Sequence, residues 1–269
     1  MKVVCADPAG WKKTAWEMGW VVGVAAVGLL LWEAIIWCFE LPPILLPSPR
    51  QVVAAAIGER VALLQGTVVT AIAAMAGLGA AIAMGCLMAI AFSQSNRIRK
   101  AFFPYVVFLQ TVPIVAIAPL LITWSGYQFR TVVLVTVIIC FFPIVNSVTE
   151  GLLSVQHDLS DLFRLYGAGR TKRLFGLQFP SAVPFLVVGM KTSSGLAVIG
   201  AIVAEFFVGN GSSYNGLGTL MTGWQAFQRT DALIAAIFAS AILGLFLFGT
   251  VRLVSVTVLR RWTTGYRNR

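Results

Sequence analysis

The sequence predicts an all-α, polytopic membrane protein with about six transmembrane helices, and the composition is the first reason. Of the 269 residues, 58% are hydrophobic and only 11% are charged, and the mean hydropathy is +0.87. A soluble domain carries roughly 25% charged residues, so this chain has too few to cover a surface in water. The second reason is that the apolar residues are gathered in runs near the roughly 20 residues that a helix needs to cross a bilayer. The period-2 alternation of a membrane barrel is absent from these runs.

Six segments have a suitable length, and they cover residues 18–39, 66–92, 101–124, 131–148, 180–207 and 232–259. Together they define one predicted transmembrane domain over 18–259, with a cytoplasmic N-terminal segment (1–17) and a basic cytoplasmic tail (260–269). An even number of crossings puts both termini on one side. With the N-terminus in the cytoplasm, only four basic loop residues face outward, and these are Arg50, Arg60, Arg130 and Arg229. The positive-inside rule favours this orientation, which explains the net charge of +10 better than nucleic-acid binding does.

Two of the predicted outer loops carry distinct patterns. After the first span, prolines force an extended path, and Ser48, Pro49 and Gln51 fit the N-cap, N1 and N3 positions of a capping box. We expect a short helix over about 49–64, on the outer membrane surface. The last outer loop is rich in glycine and is either a flexible or re-entrant gate or an ordinary connector. Its candidate gate residues are Gly209, Gly211, Gly216 and Gly218.

Small residues and prolines shape the predicted spans. In the second span, small residues recur at every fourth position from Ala73 through Gly77 to Ala89. Such a stripe lets helix backbones approach closely. It favours packing within the subunit, and a subunit interface is the alternative. Prolines are expected to bend the third and fourth spans, and these are Pro104, Pro113, Pro119 and Pro143.

A polar segment, residues 156–180, interrupts the apolar sequence between the fourth and fifth spans, on the predicted cytoplasmic side. A helix capped by Asp158 or Ser160 is predicted to run to a turn at Gly167. No catalytic or metal set is expected. The stretch Gly167–Lys172 lacks the G-x-x-x-x-G-K-[ST] spacing of a phosphate-binding loop, His157 is the only histidine, and the four cysteines form no C-x-x-C pair. The chain is therefore predicted not to be an enzyme.

The polar segment resembles the cytoplasmic motif of ABC importer permease subunits, which is Glu-Ala-Ala, three residues, Gly, about nine residues and Ile-x-Leu-Pro. Asp161 stands at the Glu position, Gly167 and Ala168 at the Gly-Ala pair, and 177–180 (Leu-Gln-Phe-Pro) at the end of the motif. Two further segments, 46–49 and 216–218, are similar to the nitrate/sulfonate/taurine-type branch of the binding-protein-dependent, type I importers. The resemblance extends from the first span to the sixth.

The resemblance implies that the polar segment is a coupling helix that docks in a groove of a cytoplasmic ATPase. The residues it assigns to docking are Asp161, Leu162, Phe163, Arg164, Tyr166, Gly167, Ala168 and Pro180. Because Leu162 and Phe163 replace the two alanines of the motif, and Asp161 is shorter than the usual Glu, we expect the partner groove to differ in shape.

The resemblance also implies the partners: a second permease copy, most often identical, two ATPase subunits that bind ATP and Mg, and an extracytoplasmic substrate-binding protein. This chain itself is expected to bind no cofactor. The implied location is a bacterial inner membrane. The implied substrate is a small solute in the sulfonate, taurine, nitrate or bicarbonate range or in the pyrimidine or flavin range.

Ionisable residues inside a bilayer are costly and are therefore functional candidates. Lys191 is predicted near the midplane, and Glu33 and Glu205 toward the outer side. Lys191 either attracts an anionic substrate or belongs to a structural ion pair with another helix or subunit. The remaining polar candidates either line the pathway or bond across helices, and these are Gln110, Thr111, Ser193 and Ser194.

Two other classes of protein stay open. An ion-coupled secondary transporter is expected to have repeat symmetry and acidic groups near the midplane, whereas the intramembrane acids here are predicted farther out. A membrane scaffold without transport activity leaves the coupling motif without a role.

Overall fold

The computed structural model describes residues 8–126, 128–209 and 214–257. These ranges form helices joined by short loops, and they contain no strand. Residues 1–7 of the predicted N-terminal segment and the whole predicted basic tail (260–269) lie outside the described residues, and so does Gly211 of the predicted gate loop. The helices are α1 (Pro8–Phe39), α2 (Pro49–Gly58), α3 (Arg60–Gln94), α4 (Asn96–Thr111), α5 (Ile114–Ser125), α6 (Phe129–Leu153), α7 (His157–Leu165), α8 (Arg170–Arg173), α9 (Phe179–Val208), α10 (Leu217–Ala226) and α11 (Thr230–Thr257). A π-helical turn, Leu174–Gln178, joins α8 to α9.

The all-α prediction is confirmed, and most of the predicted spans are found. Helices α1, α3, α6, α9 and α11 are long and apolar enough to cross a membrane, and they match the first, second, fourth, fifth and sixth predicted spans. The third span differs, because α4 and α5 meet at an angle of 100°. The pair counts as a sixth span only if the chain crosses the membrane through this break.

The break lies at Pro113, one of the three prolines predicted to bend the third span. Val112, which precedes it, is extended with ψ 126°, as steric repulsion from the proline ring favours. Pro104 and Pro119 lie inside α4 and α5, and Pro143 lies inside α6. Three of the four prolines therefore lie within helices, and the chain is broken only at Pro113.

The described residues form two compact units, and the smaller one contains the residues up to Glu59 together with Trp224–Ala235. Its α2 begins with the predicted capping box: the Ser48 hydroxyl accepts the Gln51 N–H at 3.3 Å, and the Gln51 side chain accepts the Ser48 N–H at 2.8 Å. The predicted helix over 49–64 is too long, because α2 ends at Gly58. Glu59 of this unit pairs with Arg229 at 2.5 Å.

The larger unit contains Arg60–Gly223 and the residues from Ala236 onward, and its core is formed by α3, α6 and α9. The stripe of small residues on α3 is buried in this core. A Cβ atom at Gly77 would lie 2.5 Å from the Thr136 side chain of α6, and one at Gly85 would lie 2.7 Å from Ile144. The stripe therefore serves close helix packing within the subunit, which was the favoured interpretation.

Candidate functional site

Helix α7 forms the centre of the polar segment, and its end is fixed by a glycine in the left-handed region. Gly167 has φ +68°. The Gly167 N–H donates to the Arg164 carbonyl and the Ala168 N–H donates to the Phe163 carbonyl, each at 2.9 Å. These two bonds define a Schellman motif, which satisfies carbonyls that the helix end would otherwise leave open. The predicted turn at Gly167 is thus present, with a specific hydrogen-bonded geometry.

The start of α7 differs from the prediction. The helix begins at His157 with Gln156 at the N-cap, and no side chain caps it. Asp158 lies in the first turn, where its negative charge interacts favourably with the helix dipole, and Ser160 lies within the helix. Neither residue is the N-cap, so this prediction was wrong. The error arose because both residue types favour caps, and sequence alone does not show which turn the helix starts in.

The two sides of α7 have different roles. Phe163 points into the segment, where its ring lies against Gly176 of the π-helical turn. Leu162, Leu165 and Tyr166 point outward and are 45%, 85% and 83% exposed. Of the docking residues predicted from the motif, Phe163 therefore contributes to the internal packing of the segment, whereas Leu162 and Tyr166 lie on the open surface beside Leu165.

Three polar side chains of α7 interact with one another. Asp161 lies 2.9 Å from the His157 ring nitrogen and 3.6 Å from the Arg164 guanidinium, one turn away on either side. The far end of the segment is tied to the membrane helices, since the Gln94 amide of α3 donates to the Gln178 side chain at 3.0 Å. Pro180 lies in the first turn of α9. The polar segment that contains α7 is therefore attached to the ends of α3 and α9.

The break between α4 and α5 opens a cavity of about 320 Å³. If Lys100 marks the cytoplasmic end of this span, as the sequence predicts, the twelve residues to Val112 make about 18 Å of helix, which is somewhat more than half of the roughly 30 Å hydrocarbon thickness. Irregular backbone is tolerated at such depth only where it is buried in protein or lines a cavity. The described lining includes Leu109, Gln110 and Val112 at the break, Ile138 and Ile139 of α6, and Leu196 of α9.

The structure separates the predicted pathway residues. Gln110 lines the cavity, whereas the Thr111 hydroxyl donates to the Phe108 carbonyl at 2.8 Å within its own helix. Ser193 is fully buried and donates to the Cys140 carbonyl of α6 at 3.3 Å. Ser194 is also buried and donates to the carbonyl of Lys191 at 2.7 Å. Ser193 thus links α9 to α6, Ser194 bonds within α9, and of the four only Gln110 is among the described residues that line the cavity.

The charged candidates also differ in their surroundings. Lys191 is half-buried, and within the described part of the chain no carboxylate lies within 4 Å of its amine. Glu33 is exposed on α1. Within the described residues of one subunit, Lys191 therefore forms no ion pair, and its pairing with a second subunit or its contact with a substrate stays a prediction.

Glu205 is fully buried at the end of α9 and holds the beginning of α10. Its carboxylate accepts the Thr70 hydroxyl at 2.9 and 3.0 Å, the Tyr214 hydroxyl at 3.0 Å and the Gly218 N–H at 2.8 Å. Thr70 in turn accepts the Leu217 N–H at 2.8 Å. A carboxylate at the N-terminus of α10 is also stabilised by the helix dipole. Glu205 is therefore a polar latch between three segments, without a cationic partner among the described residues.

The latch explains two glycines of the predicted gate loop. A Cβ atom at Gly216 would overlap the Glu205 carboxylate, and one at Gly218 would lie 2.7 Å from the Glu205 Cβ. Burial and the nearby carboxylate raise the pKa of Tyr214, so its hydroxyl stays a donor. Gly209 lies against Thr219. The described part of the loop is thus held in place at both ends.

Sequence reasoning missed Thr70 and Tyr214. A threonine in an apolar span and a tyrosine in a glycine-rich loop are common, and the partner of both lies in a separate segment. Thr70 is 135 residues from Glu205. A tyrosine nine residues after an intramembrane acid was the only signal that could have indicated half of this contact.

These features define the class of the protein: a helical membrane protein with a broken span and a polar segment that exposes an apolar surface. Residues 81–264 match the family model described as binding-protein-dependent transport system inner membrane component, and the chain belongs to this family.

Individual relatives agree with the family assignment. The chain is 32% identical to the formylaminopyrimidine transport permease protein ThiX of Halalkalibacterium halodurans, over 78% of this chain and 83% of that protein. It is 30% identical to the riboflavin transport system permease protein RibX of Chloroflexus aurantiacus, over 87% and 86% of the two chains. It is 27% identical to the putative aliphatic sulfonates transport permease protein SsuC of Bacillus subtilis, over 92% and 90%. The predicted resemblance is confirmed, and the chain is a transport permease subunit of the ABC importer type.

Proposed function

We propose that this chain forms the translocation pathway of an ATP-driven importer and is driven by a separate ATPase that binds α7. The observation that carries the proposal is the exposed apolar surface of Leu162, Leu165 and Tyr166 on a helix whose end is fixed at Gly167. Exposed apolar clusters beside charged residues mark interaction sites, and aromatic side chains are frequent hot spots in interfaces.

The geometry suits the transmission of movement. The Phe163 ring of α7 contacts Gly176 of the π-helical turn, which continues directly into α9, and Gln178 of the same turn bonds to α3. Because α3 and α9 both belong to the core of the larger unit, a shift of α7 passed on through this contact would reach packed helices. An ATPase must impose such a shift to open the pathway to one side of the membrane or the other.

The partners follow from the family and from the proposed orientation. We infer two ATPase subunits that bind ATP and Mg, an extracytoplasmic binding protein that delivers the solute, and a second permease copy, expected to be identical. This chain is inferred to bind no cofactor of its own. Both termini and α7 lie in the cytoplasm in this scheme, since the positive-inside rule favours it. The solute is a small molecule of the sulfonate, taurine, nitrate or bicarbonate kind, or a pyrimidine or flavin.

Reconstitution into liposomes tests the proposal against a secondary transporter and a scaffold. The permease is inserted with and without its ATPase, and uptake of the solute bound by its binding protein is measured with internal ATP. Uptake that requires both ATP and the ATPase supports the proposal. Uptake driven by a proton or sodium gradient without the ATPase would establish a secondary transporter, and no uptake under either condition would favour a scaffold.

A second measurement tests α7 directly. The ATPase should co-purify with the wild-type chain, and replacement of both exposed anchors, Leu165→Ser with Tyr166→Ser, should release it. The same double replacement at Ile44 and Leu45, which are also exposed in the loop after α1 and outside the predicted spans, is the matched control. Equal retention of the ATPase by both variants would remove α7 as the docking site.

A further inference from the structure

Two groups of basic side chains flank the hydrogen bond between Gln94 and Gln178, which joins the end of α3 to the π-helical turn before α9 across 84 residues of sequence. One group lies at the start of α4 and the other in α8. They are Arg97, Arg99 and Lys100 (the first basic trio) and Arg170, Lys172 and Arg173 (the second basic trio). Each of these residues is at most eight positions from Gln94 or Gln178, which is about 12 Å of helix. The fold therefore gathers two separate basic segments around one bond.

This bond lies at a membrane surface. Helices α3 and α9 are both long and apolar enough to cross the membrane, and the bond connects the end of the first to the start of the second. Exposed apolar side chains accompany each trio, with Ile98 and Phe102 at the first and Phe175 and Phe179 at the second. The rings of Phe175 and Phe179 are 6.5 Å apart. Basic side chains beside apolar and aromatic ones are typical of segments that lie at the boundary between headgroups and acyl chains.

The positive charges of the two trios are not balanced within the described part of the chain. No carboxylate described there lies within 4 Å of any of the six side chains. The Arg99 guanidinium donates to the neutral Asn96 amide at 3.1 Å, and Asp161 of α7 is paired with His157 and Arg164 instead. Four of the six side chains are exposed and the other two are partly exposed, so the surface is open to an external anion.

A phospholipid with an anionic headgroup matches both parts of this surface. Its phosphate accepts charge-assisted hydrogen bonds from guanidinium groups, while its acyl chains have the exposed phenylalanine rings beside them. A free phosphate would leave these rings without a partner. A soluble ATPase is better matched by the exposed side of α7, because the trios lie at the ends of spanning helices.

We propose that the two basic trios bind the headgroup of an anionic phospholipid between the end of α3 and the π-helical turn. The inference goes beyond the proposed transport function and depends neither on the ATPase nor on the solute. A lipid bound there would hold the start of α9 at the membrane surface. It would thereby limit the movement of the adjoining segment that carries α7.

Native mass spectrometry tests the proposal on the full-length permease in detergent. The protein is titrated with phosphatidylglycerol and, separately, with phosphatidylcholine of the same acyl chains. We expect phosphatidylglycerol to bind at least ten-fold more tightly. Equal affinities would overturn the proposal, and displacement of phosphatidylglycerol by an equimolar amount of inorganic phosphate would show a site for free anions instead.

Neutralisation of the second basic trio locates the site. Replacement of its three residues by glutamine should lower the preference for phosphatidylglycerol at least ten-fold, because each basic residue near an anionic surface contributes roughly five-fold. The affinity for phosphatidylcholine should not change, and it serves as the control for folding. The matched control removes the same charge at Arg50, Arg60 and Arg130, which are exposed and predicted on the opposite surface. Equal losses in the two variants would show that net charge alone attracts the lipid, against the proposal.

The two trios together distinguish a site from a diffuse positive field. A headgroup held between the trios needs both of them. Neutralising the first trio should therefore cause a loss similar to that of the second, and neutralising both should cost little more than either alone. Losses that multiply would show a diffuse field and no site. Release of the ATPase by the glutamine variants with an unchanged lipid preference would assign the surface to the ATPase and overturn the proposal.

Discussion

Gly167 provides the sharpest test of how α7 works, because its backbone rather than its surroundings sets the requirement. Its φ of +68° is a conformation that residues with a Cβ atom adopt at a cost of about 1–2 kcal/mol. No atom lies within 4 Å of the position a Cβ would occupy, so a larger side chain has space. Valine, which is β-branched, should be at the upper end of this cost. About 2 kcal/mol lowers the equilibrium constant for the docking-competent conformation roughly thirty-fold.

The expected result is that Gly167→Val lowers ATP-dependent uptake and solute-stimulated ATPase activity by up to about thirty-fold while the protein still inserts in the membrane. Gly167→Asn should lose much less, because asparagine tolerates the left-handed region. The matched control is Gly169→Val. Gly169 also has open space, but its φ of −64° and ψ of 168° suit valine. Normal activity of Gly167→Val, or an equal loss in Gly169→Val, would refute the reasoning.

Three further predictions concern stability. Glu205→Ala should lower the free energy of unfolding by about 2–4 kcal/mol, because it leaves three donors unpaired, and Glu205→Gln should lower it less. Thermal unfolding in detergent measures both variants. An equal loss in the two would contradict the role of Glu205 as a latch. Gly77→Val should destabilise the core by about 1–3 kcal/mol through overpacking, whereas Gly79→Val, which meets open space, should unfold at the wild-type temperature. Arg229→Gln should cost less than about 1 kcal/mol, since its pair with Glu59 is partly exposed, and a larger loss that persists in high salt would show a buried role.

Local features were predictable because their causes are local. The capping box at Ser48 and Gln51 depends on residues three positions apart, and the turn at Gly167 on the conformational freedom of one residue. The five long helices could be predicted because an apolar run of sufficient length has few alternatives in a bilayer. The small-residue stripe on α3 predicted close packing, although not the identity of the helix it contacts.

Features that depend on distant contacts were not predictable. Three prolines in the third span gave three possible positions for a break, and the sequence does not rank them, since helices can accommodate proline when neighbours satisfy the freed backbone groups. The sequence indicated that Glu205 is an acidic group inside the membrane, which is costly unless it is paired. It did not indicate the donors that pair it, because Thr70 lies on another helix. The inward position of Phe163 was also missed, since its packing partner, Gly176, lies in a π-helical turn that no local pattern indicated.

One physical requirement connects the latch and the break. Polar groups at membrane depth must be paired or must face a cavity. At Glu205 this requirement is met internally, because two hydroxyls and a backbone N–H satisfy the carboxylate, so that end of α9 is fixed. At Val112 and Pro113 the interrupted helix borders a cavity of about 320 Å³ instead. Because the carboxylate of Glu205 is fully paired whereas the break borders open space, we expect a solute to pass at the break rather than at Glu205. Helix α9 connects both places to the segment that carries α7.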